Sequence, residues 1–473
     1  MPNTSHNNFE QLVESYFLYS FTEDQKNALE VFMDFFKSEK QLCLYILQGF
    51  AGTGKSSLVA AIVKSLQEIK IKTRLLAPTG RAAKVLSNFA KTPAYTIHKQ
   101  IYFSGNELSI QKPTLAKNLF ENTLFFVDEA SMIGISDKNN ETNLLEDLLN
   151  YVFQGKNCKL IFMGDSGQLP PVGQIDSPAL SSSFFSENYP KITVFKAELK
   201  NVVRTTENSS ILTNATFIRD KFIFAAPFFR IINNKETFRI AGGDLQDYIE
   251  TSYNEVGMDQ TILVTLSNKR ANQWNQEIRG RILLREEIME RGDILMVVKN
   301  NYFWLDPQSE IGFIANGELI KVKRIIRFED LYGFHFVHLE ILFLDYPDEP
   351  EKTVIVMTEA ILEEAPNLKR VKLKELFYAI EQDYLYEKNK QKRFQLVLKN
   401  PYFSALQVKY AYAVTVHKAQ GGQWNHVFLD YGFVPEELKN ENYIPWLYTA
   451  LTRASEKLFL LNFPDEFFSD KVN

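Results

Sequence analysis

The segment Gly49–Ser56, GFAGTGKS, combines glycines, a lysine and a hydroxyl group at the spacing of a phosphate-binding loop. It follows the apolar run LCLYIL (42–47) and opens a helical stretch, SSLVAAIVKSLQEI. Glycines let backbone N–H groups turn toward a phosphate, and the start of a helix favours negative charge. We predict that Lys55 neutralises the β- and γ-phosphates of a nucleoside triphosphate and that Ser56 ligates Mg²⁺. The predicted nucleotide contacts of this loop are Gly49, Gly52, Thr53, Gly54, Lys55, Ser56 and Ser57.

A carboxylate pair, Asp128-Glu129, follows the apolar run TLFFV (123–127). On its own, such a pair commonly marks the start of a helix, where negative charge is favourable. After a phosphate-binding loop it predicts catalysis, because triphosphate hydrolysis also needs a second Mg²⁺ anchor and a group that handles the attacking water. We predict Asp128 as the metal-linked carboxylate and Glu129 as the general base.

The stretch KLIFMGDSGQLPPVG (159–173) runs from an apolar strand into a small polar cluster. Asp, Ser and Gly also suit an ordinary surface turn. Open α/β sheets, however, bind their ligands at the carboxyl ends of parallel strands. If this strand lies near the strand of the phosphate-binding loop, Gln168 can contact the γ-phosphate or the attacking water, since an amide both donates and accepts hydrogen bonds.

Positive side chains outside the phosphate-binding region could supply further charge to the reaction. Arg204 lies in ELKNVVRTTENSSIL and Arg453 in LYTALTRASEKL, and Lys418 is a third candidate. An arginine that reaches across a domain cleft commonly accelerates phosphoryl transfer.

Composition predicts a multidomain globular protein of a reducing compartment, and we expect a cytoplasmic location. The chain has 473 residues, 45% of them hydrophobic, and only two cysteines, Cys43 and Cys158. No apolar run is long enough to span a membrane, and the start MPNTSHNNFE lacks a signal-peptide core. The net charge of −5 does not exclude nucleic-acid binding, which depends on a local groove. The basic segments 368–376 and 387–393 are either a wall of such a groove or a solvated helix face.

The order of apolar segments predicts two α/β cores, each with an insertion. The expected strands of the first core are 42–47, 73–77, 123–127 and 159–163, and those of the second are 261–266, 411–416, 426–431 and 457–462. Residues 291–402 alternate in short bursts, as antiparallel strands do, and we interpret them as an insertion. A shorter insertion is expected at 100–119, with SGN as a hairpin tip.

The motifs, taken in order, resemble those of superfamily 1 helicases, and in particular of the RecD/Dda/Pif-like 5′-to-3′ branch. The matching segments are FTEDQKNAL, GFAGTGKSS, LAPTGRAAKVL with TIHK, VDEASM, GDSGQLPPVG, TLSNKRANQWNQ, AVTVHKAQGGQW and LYTALTRA. This resemblance covers about residues 20 to 465. It implies an α/β fold with two RecA-like P-loop cores, each a parallel sheet flanked by helices. It also implies a small pin insertion in the first core and an SH3-like β-rich insertion in the second.

The resemblance also implies domain boundaries. They are 1–99 and 120–204 for the first core, 100–119 for the pin, 205–290 and 403–473 for the second core, and 291–402 for the SH3-like insertion.

Further site residues follow from the resemblance, position by position. Gln25 is expected to bind adenine, Gln420 and Gly421 to couple nucleotide to DNA, and Arg204 and Arg453 to act as arginine fingers. The residues expected to contact the nucleic acid are Pro78, Thr79, Arg81, His98, Asn268, Arg270, Thr415, His417 and Lys418. His98 and His417 could instead be buried core histidines. Phe103 or Tyr102 could stack on the separating base pair, or could simply be a buried aromatic residue.

The resulting expectation is a monomeric motor that uses ATP and Mg²⁺ to move 5′ to 3′ on single-stranded DNA and to unwind forked duplex DNA. Closing and opening of the cleft between the cores would drive each step. Two alternatives stay open: a helicase for RNA or RNA–DNA hybrids, and an ATP-gated clamp or loader that binds nucleic acid without unwinding it. Polarity follows from the resemblance alone.

Overall fold

The computed structural model describes residues 6–102, 114–135, 143–203, 209–221, 226–230, 232, 235–306, 311–365, 368–432, 434 and 443–469. Within it the chain divides into two compact units. The first unit is built from the described parts of 1–103, 112–230 and 440–452. The second is built from the described parts of 231–439 and 453–473.

The first unit contains a parallel sheet of six strands within the described residues. Its strands are β1 (Cys43–Gly49), β2 (Lys72–Ala77), β3 (Ala94–Thr96), β4 (Thr123–Val127), β5 (Lys159–Gly164) and β6 (Thr193–Leu199). The order across the sheet is β3-β2-β4-β5-β1-β6. Therefore β5 lies between β4 and β1, and the three strands deliver the segments that follow them to one edge of the sheet.

Helices cover both faces of this sheet, because its central strands are apolar on both sides. They are α1 (His6–Tyr16), α2 (Glu23–Lys37), α3 (Lys55–Glu68), α4 (Gly80–Ala90), α5 (Ile97–Ile101), α6 (Leu144–Gln154), α7 (Ser182–Asn188) and α8 (Ser210–Arg219). One face buries an aromatic cluster that includes Phe9, Phe32 and Tyr45. The other buries Phe125, Phe162 and their neighbours.

The second unit combines a smaller parallel sheet with a closed barrel. The strands are β7 (Thr237–Ile240), β8 (Thr261–Thr265), β9 (Ile294–Val297), β10 (Leu319–Leu331), β11 (Phe334–Phe343), β12 (Lys352–Met357), β13 (Leu406–Tyr410), β14 (Ala413–Thr415), β15 (Trp424–Asp430) and β16 (Ala454–Leu461). The sheet has the order β14-β8-β15-β16-β7, and the barrel has the order β10-β11-β12-β13-β9. The helices are α9 (Leu245–Val256), α10 (Asn268–Glu277), α11 (Arg370–Glu381), α12 (Lys390–Leu398) and α13 (Val416–Ala419).

A last helix, α14 (Tyr443–Leu451), belongs to the first unit although its sequence lies among second-unit segments. It packs against α8. Every described α14 side chain except Pro445 is buried, which explains why the helix is apolar nearly all round.

The fold class predicted from the sequence is confirmed: two parallel sheets flanked by helices, with a barrel-like sheet in the insertion. Several boundaries differ from the predicted ones. The last barrel strand, β13, lies beyond residue 402, and α8 and α14 pack in the first unit although 205–290 and 403–473 were predicted for the second core. The tip of the 100–119 insertion lies outside the described residues, while its ends pair as Tyr102 and Leu115.

Candidate functional site

The loop between β1 and α3 has the backbone of a phosphate cradle. Gly52 and Gly54 adopt φ values of 80° and 78°, a left-handed conformation that glycine reaches without strain. The Thr53 hydroxyl donates to the Phe50 carbonyl at 2.8 Å and tightens the turn. No side chain caps α3 at Gly54, so its first turn is available to an anion, as at other phosphate-binding helix starts. Lys55 Nζ donates to the Gly49 carbonyl at 3.1 Å and is held within the loop.

Asp128 and Glu129 follow β4 at the same edge of the sheet. The Glu129 backbone N–H donates to Asp128 Oδ1 at 2.9 Å, and Glu129 itself has a left-handed backbone with φ of 50°. Burial and the charge of Glu129 raise the pKa of Asp128 to about 6, while Lys55 opposes the shift. Glu129 Oε2 is buried, and none of the described residues forms a hydrogen bond with it. A buried carboxylate oxygen with no partner fits a group that waits for a ligand or a water.

The loop after β5 brings Asp165 and Gln168 to the neighbouring position. Leu47 and Gln48 of β1 pair with Met163 and Gly164 of β5, so the two loops emerge side by side. This confirms the predicted proximity of the two strands. Gln168 is 8% exposed and its Oε1 atom has no hydrogen-bond partner.

Asp165 was not predicted as a site residue. It is 1% exposed, and burial raises its pKa while Lys55 opposes the shift. Its Oδ1 accepts the Gly167 N–H at 2.8 Å, which fixes the loop that carries Gln168.

Helix α14 joins the two loops through hydroxyl groups. The Tyr448 hydroxyl donates to Asp165 Oδ2 at 2.7 Å and accepts the Ala51 N–H of the phosphate-binding loop at 2.8 Å. Thr449 Oγ1 accepts the Leu169 N–H at 2.8 Å. A Cβ atom on Gly167 would lie 3.1 Å from the Tyr448 ring, so the fit is close. Tyr448 was not predicted from the sequence; the available signal was a polar hydroxyl group in a helix that is otherwise largely apolar.

Gln25 also contacts the phosphate-binding loop. It is fully buried, and its Nε2 donates to the Thr53 carbonyl at 2.9 Å. Its Oε1 accepts the Thr22 N–H at 3.0 Å, while Thr22 Oγ1 accepts the Gln25 N–H, which forms a capping box at the start of α2. Gln25 therefore ties the start of α2 to the loop, and its predicted contact with adenine stays a prediction.

The residues present fit a nucleoside triphosphate with Mg²⁺. The cradle offers backbone conformation and positive charge, and Glu129 Oε2 and Gln168 Oε1 are buried polar atoms without partners. Ser56, at the start of α3, provides a hydroxyl oxygen, and Asp128 provides carboxylate oxygens. Oxygen atoms of both kinds suit Mg²⁺.

The other predicted contacts of the first unit lie near the ends of β2 and β3. Thr79 caps α4, since its Oγ1 accepts the Ala82 N–H at 3.2 Å, and Pro78 and Arg81 flank it with partial exposure. His98 is partly buried on α5, and burial lowers its pKa to about 4, so the ring is neutral at physiological pH. Tyr102 is 5% exposed and donates to Asp147 Oδ2, so it is a core aromatic residue.

Predicted contacts of the second unit gather at the ends of β8 and β14. Asn268 starts α10, and Thr415, which is 7% exposed, precedes α13 with His417 and Lys418. Burial and the charge of Lys409 lower the pKa of Lys418 to about 8.

Arg270 is partly committed to a structural contact. Its Nε donates to the buried Asp430 carboxylate at 2.7 Å, and its guanidinium lies over the Trp274 ring. If Arg270 also contacts a nucleic acid, its guanidinium must bind the phosphate while it remains paired with Asp430.

Arg453 lies beside the segment that contains Gly421 in the second unit. Arg453 is 3% exposed and its Nη1 donates to the Gly422 carbonyl at 3.1 Å. The adjacent Gly421 has φ of 76°, and Gln420 is buried. The predicted site residues Arg204 and Phe103 lie outside the described residues.

Comparison with known proteins gives the same resemblance to superfamily 1 helicases as the sequence motifs. Residues 20–221 match the family model of an AAA domain, and residues 410–461 match that of a UvrD-like helicase C-terminal domain. The RecBCD enzyme subunit RecD of Buchnera aphidicola is 23% identical over 88% of this chain and 69% of its own length. The chain is thus similar to RecD-like superfamily 1 helicases. An uncharacterized protein of Acanthamoeba polyphaga mimivirus is 24% identical over 93% of this chain and 99% of its own length.

The crystal structure of Pif1 helicase from Candida albicans aligns with 96% of this chain and 97% of its own, at 17% identity and a TM-score of 0.47. Among the described helices, none has both the length and the apolar character needed to cross a bilayer.

Proposed function

We propose that this protein is an ATP-driven DNA helicase that acts as a monomer, moves 5′ to 3′ on single-stranded DNA and unwinds forked duplex DNA. One observation carries the proposal. The phosphate-binding loop, Asp128-Glu129 and the loop of Gln168 follow the adjacent strands β1, β4 and β5, and two buried oxygens there have no hydrogen-bond partner in the described part of the chain. That arrangement suits hydrolysis of a triphosphate, and the RecD-like relationship suggests what the energy drives.

ATP with Mg²⁺, when bound, supplies the phosphoanhydride bond whose cleavage releases the energy. Lys55 and the first turn of α3 would bind the phosphates, and Ser56 and Asp128 would hold Mg²⁺, which would neutralise phosphate charge. Glu129 Oε2 accepts a proton from the attacking water, and the Gln168 amide orients that water or the γ-phosphate. Arg204 and Arg453 are proposed to add positive charge in the transition state.

The DNA strand is proposed to contact Pro78, Thr79, Arg81 and His98 of the first unit. In the second unit it is proposed to contact Asn268, Arg270, Thr415, His417 and Lys418. Hydroxyl, amide and cationic groups suit phosphates, which position a strand without reading its sequence. Low sequence specificity is therefore expected.

The test compares ATP hydrolysis with and without single-stranded DNA, and then unwinding of duplexes that carry a 5′ tail or a 3′ tail. We expect DNA to stimulate hydrolysis and only the 5′-tailed duplex to be unwound. Unwinding from the 3′ tail would contradict the polarity. Stronger stimulation by RNA would favour the RNA alternative, and DNA binding without unwinding from either tail would favour the clamp.

A further inference from the structure

The helices α11 and α12, inserted between barrel strands β12 and β13, form the most basic part of the second unit's insertion. From Leu368 to Lys399 the sequence has nine Lys or Arg and four Asp or Glu, a net charge of +5. The whole chain carries −5, which leaves −10 for the rest. A concentrated positive charge on an acidic protein indicates a local partner of negative charge.

The packing of these helices fixes which face is free. Leu376, Ile380 and Val397 are buried in one cluster with barrel residues such as Phe336 and Ile355. The opposite face of α11 and the turn toward α12 therefore point to solvent. Large apolar and aromatic side chains remain exposed there, namely Val371 at 66%, Tyr378 at 61%, Leu385 at 55% and Tyr386 at 74%.

Some basic residues of this region are paired internally and others are not. Lys369 and Lys372 face the Glu363 carboxylate at 3.2 and 4.0 Å, and Arg393 pairs with Glu381 at 2.8 Å. Lys374, Lys388, Lys390 and Lys392 are exposed, and within the described part of the chain no acidic side chain forms an ion pair with them. Four cations beside exposed tyrosines define what we call the α11–α12 surface.

The segment that precedes α11 is hydrogen-bonded to elements that carry the proposed DNA contacts of the second unit. The Glu363 carbonyl, just before α11, accepts a hydrogen bond from Asn272 Nδ2 of α10 at 3.1 Å and another from Lys409 Nζ. Asn268 starts the same helix α10, and the charge of Lys409 acts on Lys418. A strand that contacts Asn268 and Lys418 thus has a chain of polar and cationic groups leading to α11.

We infer that the α11–α12 surface binds a further stretch of single-stranded nucleic acid, with lysines on the phosphates and Tyr378 and Tyr386 stacked on bases. Grooves that combine cations with aromatic rings hold single strands in this way, because every base has a face on which a ring can stack. Paired bases in a duplex offer no such face, so a single strand is favoured. The inference rests on the proposed function.

The experiment measures binding of a fluorescein-labelled single-stranded oligonucleotide by anisotropy at several salt concentrations. The test variant replaces Lys374, Lys390 and Lys392 by Gln, and the control replaces Lys40, Lys70 and Lys191, which are exposed lysines of the first unit, by Gln. Both variants change the net charge equally. We expect about 10-fold weaker binding for the test variant and a salt slope that falls by roughly 2, since each lost phosphate contact removes about 0.7.

A second variant, Tyr378→Ala with Tyr386→Ala, keeps the charge and tests stacking. It should weaken binding by roughly 10-fold with an unchanged salt slope. ATP hydrolysis without DNA should match the unmodified protein in every variant. If both variants bind the oligonucleotide as tightly as the control does, the α11–α12 surface does not hold the strand. Its positive charge would then be better explained by an acidic protein partner. If the unmodified protein shows no DNA-stimulated hydrolysis, the proposed function fails as well, so the two failures are distinguishable.

Discussion

At the scale of single residues, Glu129 has the properties of a group that accepts a proton from water. Its backbone is left-handed, its Oε2 atom is buried, and that atom has no hydrogen-bond partner. Such a conformation persists only where the surrounding structure holds it, and it is common at functional sites.

Replacing Glu129 by Gln should preserve ATP binding and lower turnover by at least about 100-fold, because the amide cannot take the proton. Nucleotide affinity and phosphate release measure the two effects separately. Lys55→Ala is the comparison variant and should lose nucleotide binding itself. An equal loss of ATP binding in Glu129→Gln would instead assign Glu129 a structural role.

Gln168 presents a neutral amide whose Oε1 atom has no partner. Gln168→Ala should leave ATP affinity nearly unchanged and lower DNA-stimulated hydrolysis and unwinding together, by roughly 10- to 100-fold. That range corresponds to the loss of one hydrogen bond to a charged group in the transition state. Melting temperature and turnover should be measured on the same preparation. Lower stability with full turnover per folded molecule would show that Gln168 is only a turn residue.

Lys418 should make strand binding depend on pH. Its pKa, lowered to about 8, means that the side chain is charged at pH 7 and mostly neutral at pH 9. Affinity for a single-stranded oligonucleotide should therefore fall as the pH rises, by up to roughly 10-fold for one charged contact. Lys418→Arg should show a flatter profile, because a guanidinium stays charged over this range. Identical profiles for the two proteins would exclude Lys418 from the contact.

At the scale of elements, Gln25 makes two different contacts at the start of α2. Gln25 Oε1 completes the capping box, and Gln25 Nε2 holds the Thr53 carbonyl. The family resemblance implied an adenine contact for Gln25, whereas the hydrogen bonds show its role at the helix start and its contact with Thr53.

Gln25→Glu separates the two contacts, because a carboxylate can still complete the cap but cannot donate to Thr53 or to adenine. It should narrow the preference for ATP over other triphosphates, and it should also lower the free energy of unfolding by roughly 1–3 kcal/mol, because the buried carboxylate then faces the Thr53 carbonyl oxygen. Gln25→Ala should narrow the preference equally and also lower the free energy of unfolding by about 1 kcal/mol. Kinetics with several triphosphates and a thermal melt measure these effects. Unchanged preference in both variants would leave Gln25 as a cap alone.

Helix α14 positions the two catalytic loops through Tyr448. Tyr448→Phe removes the donor to Asp165 and the acceptor of the Ala51 N–H, and should lower turnover by about 10-fold while reducing stability by about 1–3 kcal/mol. Tyr45→Phe is the matched control, since its buried hydroxyl donates to the Ala28 carbonyl in the core. Both variants should have a lower melting temperature. Only Tyr448→Phe should also reduce the difference between the affinity for ATP and the affinity for ADP. Equal turnover in the two variants would reduce Tyr448 to a packing residue.

The elements that the sequence predicted are those with continuous apolar runs. Strands β1, β4 and β5 are buried on both faces, and their central residues, 43–47, 124–127 and 160–163, are apolar. The missed strand β6 lies at the sheet edge and carries Lys196 and Glu198, so its pattern does not distinguish it from a loop. The missed strand β3 has only three residues, which is too few for a periodic signal.

At the scale of the whole molecule, the order of motifs predicted the two cores and the chemistry of the first. It did not predict that α8 and α14 belong to the first unit, because local patterns state that a helix is apolar but not which distant helix covers it. Tyr448 was missed for the same reason: its partners Asp165 and Ala51 lie 283 and 397 residues away in sequence.

The place of α14 also bears on how the protein is made. A ribosome releases the first unit's other described segments by residue 230, but the helix that covers α8 and supplies Tyr448 ends near residue 452. At about 5–20 residues per second, the intervening chain takes roughly 10 to 45 s to appear. During that interval Asp165 and the phosphate-binding loop lack their shared hydroxyl group. The nascent chain is thus expected to acquire a complete nucleotide site only after α14 has been synthesised.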